Sequence, residues 1–483
     1  MNQNAIEEYM VELETNAGVF REALPRVVRE FQQSATQVSH YNEIPAAISF
    51  FTILGQIVKD FIIVPNGRNH EDTRIHFCWV QTSGTGKSTL WNFVGPVSNM
   101  VFNKINEMNT HPSLMIDGIP MARNFNTFGV TDYTDSVLIG KYDKEIEDDE
   151  ISWVRKAGLL EGSGLAHWDE FEYSGIFKQS QHKENSIVYL NTLMNSLSGE
   201  SWKISKALTS YDNQVMECYC ERSVLAMTYP PNNLNSVMAE KGVLQRMLLF
   251  VWEVPEFLQH KMRTEQIAKA GTVEEINQPI ERYANALMEL YKITKQRFEE
   301  VGGDPLKTMT FTPDFNDVLQ LEYENMRRYL QNTRSDVSAI ASNFTTRLMK
   351  ILMKMSVLCS VASAPSMLEK EDRFKVTGHN VRQAATIVRQ CYMTLVGWLE
   401  QSLKASRSSI TEVSLESFFS NVYEKIDKDD EGYVNKSIFF KEVKNRAKKS
   451  QAQVYRHYEI IRHKFDEMKV GRSVFVKYKG DEE

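Results

Sequence analysis

Cysteine is scarce in this chain: five in 483 residues. Cys78, Cys218, Cys220, Cys359 and Cys391 never fall into the paired C-x2-C spacing of a structural zinc site, and five thiols do not build a disulfide framework. Cys218 and Cys220 read as packing, and reduced thiols in a cytosol-like compartment are the expectation. Long uncharged apolar runs are also missing. The two most apolar stretches, residues 45–64 and 348–368, are interrupted by Gln56, Lys59 and Asp60 and by Lys350 and Lys354. A bilayer span needs ~20 nearly uncharged residues, so both read as buried helices and no membrane partner is expected. The opening MNQNAIEEYMVELE lacks the basic-then-apolar order of a secretory signal; a cytoplasmic protein is expected. Internal repeats and low-complexity tracts are absent, and neither sign of charge dominates, with 56 Lys and Arg against 63 Asp and Glu.

The composition itself is that of a folded chain, 42% hydrophobic and 25% charged, long enough for two to four domains at about 150 residues each. Residues 1–60 have helical periodicity, with Ile44, Ala47, Ile48, Phe51, Leu54, Ile57, Val58 and Phe61 on a 3.6-residue rhythm. Short β-type runs then appear at 61–64 and 75–80, separated by the turn Pro65-Asn66-Gly67. From there to about residue 255, apolar runs (165–168, 223–228, 247–252) alternate with helical segments, the pattern of an α/β layer with a largely parallel sheet. Residues 256–405 read as long helices. A tail of about three short helices and a terminal hairpin follows a junction at 407–409. The expected division is an N-terminal helical region (1–60), an α/β domain (61–255), a helical domain (256–407) and a C-terminal domain (408–483).

The run at 75–80 ends in QTSGTGKST. Glycines let backbone N–H groups wrap phosphate oxygens, and the following helix start adds partial positive charge. Gly84, Thr85, Gly86, Lys87, Ser88 and Thr89 are therefore the expected ATP-binding residues. Lys87 would reach the β- and γ-phosphates and the Ser88 hydroxyl would hold Mg²⁺. The full pattern G-x4-G-K-[S/T] places its first glycine at 81, which here is Gln81.

Such chemistry also needs a carboxylate for the Mg²⁺ shell and a base for the attacking water. Leu165-Ala166-His167-Trp168-Asp169-Glu170 ends an apolar run in that pair, with Asp169 toward the metal and Glu170 toward the water. His167 reads as a wall residue, and the acids of residues 141–150 as a solvated face. The run 222–228 ends in Thr228, followed by Tyr229-Pro230-Pro231-Asn232; Thr228, then Asn232, are candidates to touch the γ-phosphate or the water. Arg246, before the apolar run 247–252, is a candidate charge stabiliser supplied to a neighbouring subunit.

In this order GTGKST, WDE, RSVLAMTYPP, GVLQRMLLFV and a helical domain containing FTTRLMKILMKMSVLCSVAS resemble the AAA+-like P-loop ATPase domain of helicase-like replication proteins of phages and mobile elements. These are related in general plan to superfamily 3 and MCM-type hexameric helicases. The resemblance covers about residues 40–405. It implies an α/β P-loop NTPase core with flanking all-α regions, ATP and Mg²⁺ as cofactors, single-stranded or forked DNA as partner, a homo-oligomeric ring (a hexamer), and a separate primase or polymerase. No primase-type metal cluster occurs in the sequence. The alternatives are a nucleotide-gated initiator, loader or defence switch that binds DNA without unwinding it, and a packaging-type or other P-loop enzyme.

Asp427-Lys428-Asp429-Asp430-Glu431-Gly432 imitates the start of a calcium loop, but its twelfth position is Ile438, so it reads as a turn. Residues 432–480 hold 13 Lys and Arg against 4 acids, leaving residues 1–431 at net −13. Ser450 can cap a helix to about Glu467 that presents Gln451, Gln453, Arg456 and Lys464, with Val454, Tyr458 and Ile461 inward. A basic hairpin with Arg472, Lys477 and Lys479 follows. The order resembles a winged helix, and these seven residues are the candidate nucleic-acid contacts.

Overall fold

A computed structural model describes residues 10–11, 18, 20–108, 114–116, 119–121, 124–129, 134–147, 150–171, 186–197, 203–208, 214–230, 242–268, 277–367, 372–408, 412–447, 451–471 and 473–479. The chain divides into two compact units, residues 1–400 and 401–483.

The centre of the first unit is a parallel sheet of β1 (Phe77–Gln81), β2 (Phe125–Gly129), β3 (Gly162–Trp168), β4 (Gln214–Thr228) and β5 (Leu248–Trp252), in the order β5-β1-β4-β3-β2. Helices cover both of its faces. Coverage on both sides explains why β1, β3 and β5 read as near-continuous apolar runs. Segment Lys203–Leu208 pairs antiparallel with the first half of β4 and prolongs that strand into a hairpin.

Helix α1 (Arg26–Val38) and helix α2 (Glu43–Val58) meet at the corner Ser39–Asn42. Residues 45 to 58 of α2 are all buried, so α2 belongs to the core of this unit, not to a separate N-terminal region. Its Gln56 donates to the carbonyl of Glu221 at 2.8 Å, and Thr73 donates to the carbonyl of Gly55 at 2.7 Å. Helix α3 (Lys87–Glu107) follows β1 directly, and α4 (Glu256–Ala268) follows β5. The expected helical stretch is α5 (Asn277–Glu300), α6 (Pro313–Gln331), α7 (Ser335–Ser363) and α8 (Gly378–Ser408), the last crossing the boundary between the units. Helix α7 is long and apolar enough to cross a bilayer, but most of its apolar window is buried inside the fold, as a core helix would be.

Residues 141–150 belong to a β-hairpin of strands Gly140–Glu147 and Glu150–Ala157, in which Asp143 bridges the exposed Lys141 and Lys156 at 2.8 Å each. One reading of the sequence needs correction. The tail helix does not run to Glu467. It ends at Ile461, because Phe465 is already the first residue of a strand.

The second unit contains α9 (Glu412–Glu424), a short strand β6 (Val434–Asn435), α10 (Lys436–Ala447), α11 (Gln451–Ile461), β7 (Phe465–Val470) and β8 (Ser473–Tyr478). β8 pairs with β6 on one side and β7 on the other. Phe419, Tyr423, Phe439, Tyr458 and Phe465 form its buried core. The segment 427–432 is a turn: the Asp429 carboxylate accepts from the backbone N–H of Glu431 and Tyr433, and Gly432 has φ +85°.

Close packing between α2 and the strand entry is testable. A Cβ on Gly55 would lie 2.2 Å from the carbonyl oxygen of Thr73. Gly55→Val is expected to destabilise the chain by about 2 kcal/mol or more, read as a lower urea midpoint.

Candidate active site

The parallel register brings three strand ends together. Phe77 of β1 pairs with Leu225 of β4 and Val80 with Thr228, while Trp168 of β3 pairs with Ala226. β4 therefore lies between β1 and β3, and the ends of the outer two are about 10 Å apart, two strand spacings. Across this gap is an open cleft of about 240 Å³ lined by Ser83, Gly84, Gly86, Lys87, Ser88, Thr89, Asp169, Glu170, Thr228, Tyr229 and Gln266.

The loop between β1 and α3 has the backbone its sequence demands. Gly84 and Gly86 have φ +72° and +90°, which only glycine adopts without strain. Gly86 is also crowded: a Cβ there would meet the Ser39 hydroxyl at 2.5 Å. Position 81 needs no glycine. Gln81 is the last residue of β1, and its side chain is fully buried rather than facing the cleft.

Lys87 closes the loop on itself. Its Nζ donates to the carbonyls of Gln81 (2.6 Å) and Thr82 (3.1 Å). Burial lowers its pKa to about 8, opposed by the charges of Asp169 and Glu170. A polyphosphate requires the protonated amine.

At the end of β3, Trp168 packs edge-on against Phe128 and Phe171, and the N–H of Phe171 donates to the Met227 carbonyl. Between these anchors Glu170 is held at φ +53°, a left-handed conformation costing a non-glycine residue roughly 1–2 kcal/mol. Its N–H donates to the Asp169 carboxylate at 3.1 Å. Strain of this kind concentrates at functional sites, where the fold over-determines one conformation. Thr228, at the tip of β4, lines the cleft from between the two outer strands.

His167 is a wall residue, as expected from the sequence. Its ring lies flat on Trp91 of α3, with centroids 3.6 Å apart and planes 1° apart. Burial lowers its pKa to about 4, so it is neutral at physiological pH. Tyr229 and Gln266 line the cleft without having been singled out from sequence, and Arg263 Nη2 lies 3.9 Å from where a Gly84 Cβ would stand. Gln266 and Arg263 come from α4, 179 and 176 residues after Lys87, and no local motif marks them.

Other expected residues lie elsewhere. Arg246 precedes β5 at the amino edge of the sheet, opposite the cleft. Its guanidinium donates to the Asn191 side chain and the Gly242 carbonyl, both at 2.9 Å. Burial, then the charge of Arg347, lowers its pKa. Asn232 lies outside the described residues.

In the second unit, Gln451 is exposed on α11. The side chains of Gln453 and Arg456, and Arg472 altogether, lie outside the described residues. Lys464 pairs with Glu416 at 3.3 Å, Lys479 pairs with Asp466 at 3.2 Å, and Lys477 sits over the Tyr433 ring. Among the described residues, Lys441 and Lys444 of α10 and Lys469 of β7 are exposed and make no ion pair, and Tyr455 is an exposed aromatic on α11.

No protein-family model matches this sequence, and none of the curated proteins matches it. Among the described residues, no group of three or more His, Cys, Asp or Glu could hold a metal. Mg²⁺ bound with a nucleotide needs no such cage, because phosphate and water supply most of its ligands; the Ser88 hydroxyl and the Asp169 carboxylate in one cleft fit that donor set.

Two outcomes are expected. Affinity for a nucleoside triphosphate falls as pH rises through about 8, because Lys87 then has to take up a proton to bind; titrations between pH 6.5 and 9.5 check this. Glu170→Gly is expected to keep or raise the urea midpoint, because glycine relieves the left-handed strain.

Proposed function

We propose that this protein is an ATP-driven nucleic-acid translocase, a ring-forming DNA helicase of the replication machinery of a phage or mobile element. The carrying observation is the single cleft that gathers Lys87, Ser88, Asp169, Glu170 and Thr228 from three strand ends. Lys87 and the loop N–H groups would hold the triphosphate, and Ser88 with Asp169 would hold Mg²⁺, which supplies charge neutralisation on the phosphates. Glu170 would orient the attacking water and Thr228 would steady it. The width of β4 leaves room for metal and water between Lys87 and the acids.

Arg246 fits a role in the neighbouring subunit's site, because it lies at the edge of the sheet opposite its own cleft. Its bonds to Asn191 and Gly242 would be exchanged for phosphate when the subunits engage. The second unit, helix–strand–helix–helix–hairpin, supports a winged-helix reading. Its phosphate contacts are assigned first to Lys441 and Lys444, since all three lysines expected from sequence already have partners within the unit.

Single-stranded DNA is expected to stimulate ATP hydrolysis, and Lys87→Ala to lose nucleotide binding. Arg246→Ala should lose turnover but bind ATP normally. Hydrolysis indifferent to DNA would favour the small-molecule enzyme; DNA binding with slow hydrolysis and no strand displacement would favour the nucleotide-gated loader. Replacing Lys441 and Lys444 by alanine should reduce the slope of log affinity against log salt by about two, and replacing Lys477 and Lys479 by less.

A further inference from the structure

We propose that Gln81 is a positioning residue for nucleotide binding: with Asn42 and Ser39 it holds the phosphate loop in its receptive shape before any nucleotide arrives. This rests on the reading of the cleft as a nucleoside triphosphate site. Gln81 occupies the position where the usual motif has glycine, and its amide is saturated with partners. Its Oε1 accepts from the Trp79 indole at 2.6 Å. Its Nε2 donates to Asn42 Oδ1 (2.9 Å), the Thr85 hydroxyl (2.8 Å) and the Thr85 carbonyl (3.1 Å).

The bonds continue from there. Asn42 Nδ2 donates to the Thr85 carbonyl (3.1 Å) and the Ser39 hydroxyl (2.7 Å). The Ser39 hydroxyl donates to the Gly86 carbonyl (2.8 Å), and the Thr85 hydroxyl to the Thr82 carbonyl (2.6 Å). Three loop carbonyls, those of residues 82, 85 and 86, are thus engaged by one buried polar bracket, the Thr82 carbonyl sharing its bond with Lys87 Nζ and the Gly86 carbonyl with the Leu90 N–H that starts α3.

Peptide planarity gives the consequence. In a trans peptide the N–H points opposite to the C=O it adjoins, and this chain has no cis peptide among its described residues. Fixing the carbonyls of 82, 85 and 86 toward the bracket fixes the N–H groups of Ser83, Gly86 and Lys87 the other way. All three residues line the cleft. The bracket therefore orients the donors that would meet phosphate oxygens, and it does so from the α1–α2 corner. A loop with glycine at 81 would lack this support and would have to be ordered by the ligand, at a cost in affinity.

The test is equilibrium binding of Mg-ATP and of inorganic tripolyphosphate to the full chain. It compares wild type, Gln81→Gly (the usual motif residue), Gln81→Met (similar volume, no polar partners) and Asn42→Ala. Each Gln81 variant is expected to bind both ligands about tenfold more weakly, the effect of one or two lost hydrogen bonds. In turnover, KM rises more than kcat falls. The Gln81→Met/Asn42→Ala double variant should lose less than the two single losses combined, because both remove the same bracket. Unchanged affinity in Gln81→Gly or Gln81→Met, with only the unfolding midpoint lowered, would overturn the inference and leave Gln81 a packing residue. Wild type that binds neither ligand would overturn the reading of the cleft itself, and that is seen before any variant is compared.

Discussion

Strand β4 lies hydrogen-bonded between β1 and β3, and the site depends on that placement. Without β4, Asp169 and Glu170 would stand one strand from Lys87, about 5 Å away, and would pair with it directly. With β4 between them, the lysine and the acids face each other across a gap wide enough for phosphate, metal and water. Backbone pairing fixes the gap: Val80 is in register with Thr228, and Trp168 with Ala226. The aromatic packing around Trp168 and the flat stack of Trp91 on His167 then hold the acidic strand end against the first turns of α3.

The cleft also stores cost. Lys87 is partly desolvated, and Glu170 is in a backbone conformation unfavourable for its side chain. Both are sustained by surroundings with little freedom to relax: loop carbonyls on Lys87, buried aromatics on either side of Glu170. A triphosphate would relieve the first by giving the ammonium an anionic partner. This is the physical content of a preorganised site, in which the fold meets the cost of arranging charges before the ligand arrives.

Much of this was legible in the sequence. Glycines at 84 and 86 foretold a loop with an exposed backbone, and apolar runs ending at Trp168 and Thr228 foretold two strand tips. The long helices after residue 277 showed in their periodicity. What was not legible depends on long-range pairing. Strand β2, Phe125–Gly129, is too short and mixed to stand out. The hairpin of residues 140–157 carries so many charges that its alternation is masked. Gln81 looked like a defect in the motif because its partner Asn42 is 39 residues upstream. Lys464, Lys477 and Lys479 looked available because charge counts do not reveal which lysines already have partners. Arg246 and the acidic pair were found by the same reasoning, yet only the pair is at the cleft.

The central claim is that residues 82–88 and 169–170 form one nucleotide site in an assembly that acts on DNA. The most direct measurement is particle imaging of the full chain with a nonhydrolysable ATP analogue, Mg²⁺ and a forked DNA. The account predicts a closed ring with a strand in its channel, the triphosphate on the Lys87 loop, and Arg246 of each subunit facing its neighbour's nucleotide. Single subunits with nucleotide bound elsewhere, or with that loop empty, would contradict it.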